Sequence, residues 1–382
     1  MAFEWEKMTV KRPTAITVLF VAMQACSNGA SSSQGPSDGA GPPADLSAQS
    51  MVNDASSMDL SSSTAEAFSF VVVGCNRVEK ADVSAANPST ANLEQLNRTF
   101  TEVAALQPPP KFFFFAGDMV YGYKDATILQ SELQAWLALY LASPLPALGV
   151  ELVPLPGNHE VQAKSGSTKL AYAAAETMWT SVMASYIRGA NGPAAGGPDG
   201  LQTDQSKLSY SFDYAGTHFV VLNTDPVGAD WTVPAKWVAT DVATAHAQGA
   251  KHIFAIGHKP AYPSPLSGEG GLSMFPAIRD TFWNALEANH AEAMLAAHNH
   301  LWYKTQPNKT WQIVAGNGGS LLESGVTGAD AYYGFTLVKV DPTGAVTITS
   351  YGRDVPSGGY VDPAPASQYP LTIRDTVDGT WH

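Results

Sequence analysis

The segment KFFFFAGDMVYGY at residues 111–123 constrains the fold most, because four consecutive phenylalanines stop there at a Gly-Asp pair. The run is short, follows a proline and is rich in an aromatic residue that favours extended structure, so it predicts a buried strand. That strand ends at Asp118. Sites in α/β proteins lie at the carboxyl ends of strands, but Gly-Asp is also common turn chemistry. Both interpretations stay open for this segment alone.

The same arrangement of apolar strands and amphipathic helices recurs from Phe68 onward. Further strands are predicted at residues 68–73, 151–155, 208–214, 218–223, 253–256, 293–295, 310–315, 333–340 and 345–351. Apolar residues at helical spacing predict helices at residues 92–106, 129–140, 237–247 and 278–289. This alternation predicts an α/β fold with its chemistry at strand ends.

Composition narrows the class of partner. The chain has 382 residues, of which 45% are hydrophobic, and it can therefore bury a large core. Its formal net charge is −13 and it has no run of Lys or Arg, so no nucleic-acid-binding surface is evident. An anionic substrate would have to be held by a metal or by local donors. With only two cysteines, the chain is not a disulfide-stapled scaffold.

Residues 1–26 are predicted to be a signal peptide that resembles the bacterial lipoprotein type. Two basic residues precede an apolar segment at 15–25, which is too short to span a bilayer as a helix. The segment ends at Cys26, which would carry the lipid, and the Ser/Gly/Pro-rich residues 27–67 are expected to form a disordered tether. We therefore expect an extracytoplasmic protein anchored to a membrane. Plain secretion and a cytoplasmic protein with an apolar start are the alternatives.

Polar side chains that can bind metals or move protons follow one predicted strand after another. They are Asp118, Asn158, His159, His258, His298 and His300. Strand ends can meet at one edge of a sheet although they lie far apart in sequence. Two imidazoles at positions i and i+2 point the same way if the backbone is extended, which suits ligands for adjacent metals. Each residue alone could be an ordinary core or loop residue, but their joint pattern indicates a site.

Four blocks, GDMVY, PGNHE, GHKPAYP and AHNH, occur in this order and resemble the signature of the calcineurin-like metallophosphoesterase superfamily. They are most similar to its purple acid phosphatase branch. The resemblance covers about residues 68–354 and implies a four-layer αββα sandwich of two mixed β-sheets flanked by helices. The Pro/Gly-rich tail at 355–382 is expected to be irregular.

The resemblance also implies a site for two metal ions. An Asp/Asn/His ligand set favours Fe, Mn or Zn over Ca, as divalent or mixed-valence ions. Carried over by motif, the ligands are Asp118 as a bridge between the metals, Tyr121 and His300 for the first metal, and Asn158, His258 and His298 for the second.

The implied activity is hydrolysis of small phosphate monoesters by a metal-activated water. His159, which Glu160 would hold, would donate a proton to the leaving alkoxide as general acid. A phosphodiesterase or nucleotide hydrolase on the same site is one alternative. A non-catalytic binding or surface protein that retains the fold is another.

The first block departs from the family. Gly74-Cys75-Asn76-Arg77 stands where the family carries an aspartate after the glycine. Cys75 could still be a ligand as a thiolate, or it could be a small buried hydrophobe. The first metal therefore has the weaker ligand set. Arg77 could contact phosphate through its bidentate geometry, or it could be a surface arginine.

Overall fold

The structure is a computed structural model that describes residues 66–79, 84–123, 125–355, 359–361 and 369–382. The predicted signal peptide at 1–26 lies outside the described residues, as does the predicted tether apart from residues 66 and 67. Among the described residues, no helix combines the length and the apolar character needed to cross a membrane.

The described strands and helices alternate along most of the chain. The strands are β1 (Phe68–Val73), β2 (Phe112–Ala116), β3 (Glu151–Leu155), β4 (Gln162–Ser165), β5 (Thr168–Ala171), β6 (Tyr210–Tyr214), β7 (Thr217–Leu222), β8 (His252–Gly257), β9 (Ala293–Ala296), β10 (Trp302–Thr305), β11 (Trp311–Ala315), β12 (Tyr332–Val340), β13 (Val346–Asp354) and β14 (Thr372–Asp378). The α-helices are α1 (Leu93–Ala104), α2 (Ala126–Ala142), α3 (Asn158–Val161), α4 (Ala173–Val182), α5 (Ala235–Ala247) and α6 (Pro276–Ala288).

Two six-stranded mixed sheets form the centre of the molecule. One has the order β14-β13-β12-β1-β2-β3 and the other has the order β10-β11-β9-β8-β7-β6. Strands β1, β2 and β3 run parallel in the first sheet, and β7, β8, β9 and β11 run parallel in the second. The carboxyl ends of these parallel strands carry the residues singled out in the sequence.

The four phenylalanines of β2 pack on both faces of the first sheet, as expected for a fully buried strand. Phe114 lies between the sheets, with its ring centroid 5.4 Å from that of Phe219 on the second sheet. Phe115 points the other way, toward the helices, and its centroid is 4.9 Å from that of Trp136 on α2. Helices α5 and α6 cover the outer face of the second sheet. These layers confirm the predicted αββα architecture.

The carboxyl-terminal segment corrects one expectation, because residues 355–382 are not irregular throughout. Strand β14 pairs antiparallel with β13 and becomes the edge of the first sheet. This pairing satisfies backbone groups of β13 that would otherwise lie at an open edge. Helix α4 and the β4–β5 hairpin were also absent from the expected elements.

His218 on β7 is bound between two carboxylates. Its Nδ1 lies 2.8 Å from Asp213 Oδ1 and its Nε2 lies 2.9 Å from Asp241 Oδ2. Burial disfavours the imidazolium, but the two carboxylates outweigh it and raise the pKa of His218 to about 9. The charged triad therefore stabilises the fold fully below the pKa of an unfolded histidine, about 6.5.

We predict that this stabilisation, about 3 kcal/mol at most, is lost as the pH rises from about 6.5 toward 9. The measurement is the free energy of unfolding of the parent and of His218→Gln across that range. The parent should lose stability relative to the variant as the pH rises. His246→Gln, at an exposed position of α5, is the control and should follow the parent. Parallel curves for the parent and His218→Gln would contradict this assignment.

Candidate metal centre

The predicted site residues converge where strands of both sheets end. Cys75 follows β1, Asp118 follows β2, Asn158 and His159 follow β3, and the imidazoles of the second sheet follow β8 and β9. All of these side chains are buried. The convergence follows from the parallel strands, because their carboxyl ends lie on one side of each sheet.

Three residues in this cluster have a backbone conformation that non-glycine residues rarely adopt. The φ angles of Cys75, Asp118 and His298 are 59°, 54° and 66°. Such conformations are costly and concentrate at functional sites. The φ angle of His298 also means that the backbone from His298 to His300 is not extended. The prediction from their i, i+2 spacing had assumed an extended backbone. Their side chains nevertheless lie in the same buried cluster.

Two glycines allow the ends of β2 and β3 to touch. A Cβ atom at Gly117 would overlap the backbone of Gly157 and the ring of His258. A Cβ atom at Gly157 would overlap Asp118 Oδ1. The glycines of the GDMVY and PGNHE blocks are therefore required by the close approach that brings Asp118 beside Asn158.

The donors expected for the second metal fit a cation. His258 Nδ1–H donates to the carbonyl oxygen of Ala116 over 2.7 Å, so Nε2 presents a lone pair to the site. That nitrogen lies 3.2 Å from Asp118 Oδ1, 3.0 Å from Asn158 Oδ1 and 3.2 Å from His298 Nδ1. Lone pairs directed at one another this closely repel unless a positive charge lies between them. These four side chains are thus a plausible metal site by their own chemistry.

The protonation states in the cluster suit ligation. Burial raises the pKa of Asp118, but His258, His159 and Arg77 outweigh it and hold that pKa well below its ordinary value. Burial and the neighbouring His258 lower the pKa of His298. Burial and Arg77 likewise lower the pKa of His300, to about 4. The carboxylate is therefore ionised and these imidazoles are neutral at neutral pH.

The donors expected for the first metal fit less well. His300 Nδ1–H donates to the carbonyl oxygen of Leu321, and its buried Nε2 has no hydrogen-bond partner. Cys75 Sγ accepts the backbone N–H of His298 at 3.2 Å and lies in the core between the sheets. One donor atom from each of Cys75, Asp118 and His258 lies within 4.8 Å of the others. Burial and Asp118, however, raise the pKa of the thiol well above its ordinary value, which disfavours a thiolate.

Tyr121 lies beside His159, and Arg77 lies beside Asp118. Tyr121 is half-buried, and its ring lies edge-on to that of His159 with centroids 5.6 Å apart. Arg77 is 9% exposed, which excludes a surface position. Its Nε lies 3.8 Å from Asp118 Oδ2, and its Nη1 pairs with Glu79 at 2.7 Å.

His159 is oriented by two contacts with the GDMVY loop. Its backbone N–H donates to Asp118 Oδ1 at 3.2 Å, and its Nδ1 hydrogen-bonds the carbonyl oxygen of Tyr121. The other ring nitrogen, Nε2, lies 3.9 Å from Asp118 Oδ2 and is the atom that faces the site. Burial and Arg77 lower the pKa of this imidazole well below its ordinary value.

Glu160 does not hold His159, which corrects the expectation from the sequence. Its Oε2 accepts the backbone N–H groups of Asp118 and Gly157 at 3.0 and 2.7 Å. Its Oε1 accepts those of Met119 and Val120 at 2.8 and 3.2 Å. Burial and the Asp118 charge raise the pKa of Glu160, while these four donors favour its ionised form. Glu160 therefore positions the loop that carries Asp118.

The sequence analysis missed several residues around the centre. Tyr123 Oη accepts a short hydrogen bond from Asn158 Nδ2, and Lys169 Nζ lies 4.5 Å from the centroid of the Tyr123 ring. The ring of Trp231 lies 5.4 Å from that of His298, whose Nε2 is 3.3 Å from Glu269. Tyr123 was detectable as the second tyrosine after the Gly-Asp pair. The other three lie outside the motif blocks and carried no signal of their own.

Comparison with known proteins gives one family and several similar folds. A family model described as calcineurin-like phosphoesterase matches residues 70–337. Purple acid phosphatase PPD1 from yellow lupin has a TM-score of 0.51 and 16% identity, with 75% of this chain and 51% of that chain covered. At this identity the likeness is one of fold, and this chain spans about half of the plant protein.

Two further structures are similar at lower scores. GAP50 from Plasmodium has a TM-score of 0.41 and 13% identity, covering 77% of this chain and 87% of that chain. A putative 5'-nucleotidase from Staphylococcus aureus has a TM-score of 0.41 and 12% identity, covering 75% and 53%. No curated protein matches the sequence.

We predict that Glu160→Gln destabilises the loop and weakens metal binding. Each carboxylate oxygen accepts two N–H groups, so either orientation of the amide would set its own N–H donors against two backbone donors. The expected loss is about 2 kcal/mol or more in the free energy of unfolding, measured by denaturant titration together with metal content. Glu176→Gln, at another buried carboxylate away from the cluster, is the control for metal content. Unchanged stability and metal content in Glu160→Gln would contradict the positioning role.

Proposed function

The chain belongs to the calcineurin-like phosphoesterase family, and on that premise we propose that it is a metal-dependent hydrolase of small phosphate monoesters. The observation that supports this most is the position of His258 Nε2, which lies 3.2 Å from Asp118 Oδ1 and 3.0 Å from Asn158 Oδ1 while Nδ1 is held by the carbonyl oxygen of Ala116. A metal ion placed among these donors would bind all three side chains.

Asp118, Asn158, His258 and His298 would hold this cation, and their nitrogen and oxygen donors suit Fe, Zn or Mn. When bound, the ion supplies positive charge for the phosphoryl oxygens and lowers the pKa of a water molecule. The residues at the family's other metal position, Tyr121, His300 and Cys75, fit a second divalent ion poorly, because the Cys75 sulfur packs in the apolar core and the Arg77 charge lies beside Asp118.

His159 is the proposed general acid. Its Nδ1 is held by the carbonyl oxygen of Tyr121, which leaves Nε2 on the side of Asp118 where an ester would lie. An anionic phosphate beside the ring would favour the imidazolium and oppose the effect of Arg77. The proton would then pass from Nε2 to the leaving alkoxide.

Local positive charge offsets the acidity of the whole chain. The formal net charge is −13, yet Arg77 and Lys169 lie near the site. In addition to burial, both lower the pKa of His159, and Arg77 also lowers the pKa of Lys169. Lys169 is exposed and lies over the Tyr123 ring at the edge of the cluster. A small phosphate ester therefore meets cations at the site although the chain as a whole repels anions.

The proposed activity is tested with the metal-loaded parent and His159→Ala, on an alkyl and an activated aryl phosphate monoester. The parent should hydrolyse both and lose activity on chelation. His159→Ala should lower the rate on the alkyl ester by ~10²- to 10⁴-fold. The loss should be smaller on the aryl ester, whose leaving group needs little protonation, and metal content should be unchanged.

The controls separate the phosphomonoesterase activity from the acid role of His159. His246→Ala, which changes a histidine at an exposed position of α5, should match the parent on both esters. Absence of hydrolysis by metal-loaded parent, or hydrolysis of a phosphodiester alone, would refute a monoesterase. Equal losses on both esters, or loss of metal from His159→Ala, would remove His159 from the acid role only.

We also propose that the protein is extracytoplasmic and anchored through a lipid on Cys26. The basic and apolar pattern before this residue and the Ser/Gly/Pro-rich segment at 27–67 support the proposal. Cys26→Ser should move the protein from the membrane fraction to the soluble fraction, because the lipid would be lost. Ser27→Ala is the control and should stay with the membrane. A soluble parent with an amino terminus elsewhere would contradict the anchor.

A further inference from the structure

The Arg77 guanidinium faces a different oxygen of Asp118 from the one that faces His258. Asp118 Oδ1 faces His258 Nε2 at 3.2 Å, whereas Oδ2 faces Arg77 Nε at 3.8 Å. We propose that the centre takes one metal ion and that Arg77 supplies the second positive charge for the phosphoryl group. This inference rests on the proposed phosphatase function and specifies how its site binds phosphate.

Arg77 is fixed in this place by its backbone. The N–H groups of Asn76 and Arg77 both donate to the carbonyl oxygen of Asp118, at 2.9 and 3.2 Å. Ser320 Oγ donates to the carbonyl oxygen of Arg77 at 3.0 Å. On the side chain, Nη1 is paired with Glu79. The guanidinium therefore does not need to be ordered when a ligand arrives, which lowers the entropic cost of binding.

One donor of this guanidinium is unused. Arg77 Nε is buried and has no hydrogen-bond partner, because 3.8 Å is too long for a bond to Asp118 Oδ2. A buried donor without a partner is costly. His300 Nε2 is also buried and without a partner. An oxyanion or a water beside Arg77 Nε would satisfy the guanidinium donor.

The surroundings of Arg77 oppose a second divalent ion. The sulfur of Cys75 accepts the N–H of His298 and packs in the apolar core, so it brings no hard negative charge to this side of Asp118. A divalent ion there would also lie beside a guanidinium that cannot lose its proton. Repulsion between like charges is strong where water is excluded. Arg77 thus fills the electrostatic role of the missing ion and excludes that ion.

The test uses the full chain, stripped with a chelator and reloaded with Zn²⁺ or Mn²⁺. Metal per chain is measured first, and the affinity for inorganic phosphate is then measured by calorimetry. The parent and Arg77→Ala should each bind one ion, but Arg77→Ala should bind phosphate ~10- to 100-fold more weakly, because a charge-assisted contact is lost. Arg77→Lys keeps the charge without the planar fork and should fall between them. Arg279→Ala, at a half-buried arginine of α6 that pairs with Asp280, should match the parent.

The double variant Cys75→Asp/Arg77→Ala should bind a second ion, because it restores the family's carboxylate and removes the competing cation. Two ions per parent chain, with equal phosphate affinity in Arg77→Ala, would overturn this inference while leaving the phosphatase proposal intact. One ion per chain and the expected loss in Arg77→Ala, but no hydrolysis of any phosphate ester, would overturn the proposed function and leave this inference standing. If the double variant does not fold, the stoichiometry and phosphate affinity of the single variants still decide.

Discussion

The carboxylate of Glu160 is the contact on which the centre depends. Burying a carboxylate is costly, and four backbone N–H groups from the ends of β2 and β3 offset that cost. These bonds hold the chain at Asp118 in a φ of 54°, which an unconstrained aspartate would rarely keep. His258, His159 and Arg77 each contact the Asp118 side chain that this loop carries.

The charge balance of the cluster explains how an acidic chain can accept an anion. Asp118 is ionised, whereas burial lowers the pKa values of His159, His298 and His300 and keeps these rings neutral. The imidazoles are thus free to act as ligands or as hydrogen-bond partners, and they add no positive charge. In the proposed mechanism, a metal ion and Arg77 supply the positive charge for phosphate.

Much of the fold and of the site was predictable because it depends on local sequence. Apolar runs that end at Gly, Asp or His predicted β1, β2, β3, β8 and β9. Parallel pairing then brings the polar residues after these strands to one edge of each sheet. Strand β14 was missed because pairing with β13, not its own Pro/Gly-rich surroundings, makes it extended. The burial of Arg77 and the four N–H bonds of Glu160 were missed for the same reason, since contacts distant in sequence create both.

The charges around Asp118 offer an explanation for the cysteine that replaces the family's aspartate in the first block. In the proposed one-ion centre, one divalent ion fewer removes two positive charges from beside Asp118. Cys75, whose thiol pKa is raised by burial and by Asp118, brings no negative charge where the family's aspartate brings one, and the buried guanidinium of Arg77 supplies a positive charge beside Asp118. The ionised Asp118 is then compensated without a second ion. On this proposal, Cys75 does not mark the loss of a working site but belongs, with Arg77, to a site that uses a guanidinium in place of an ion.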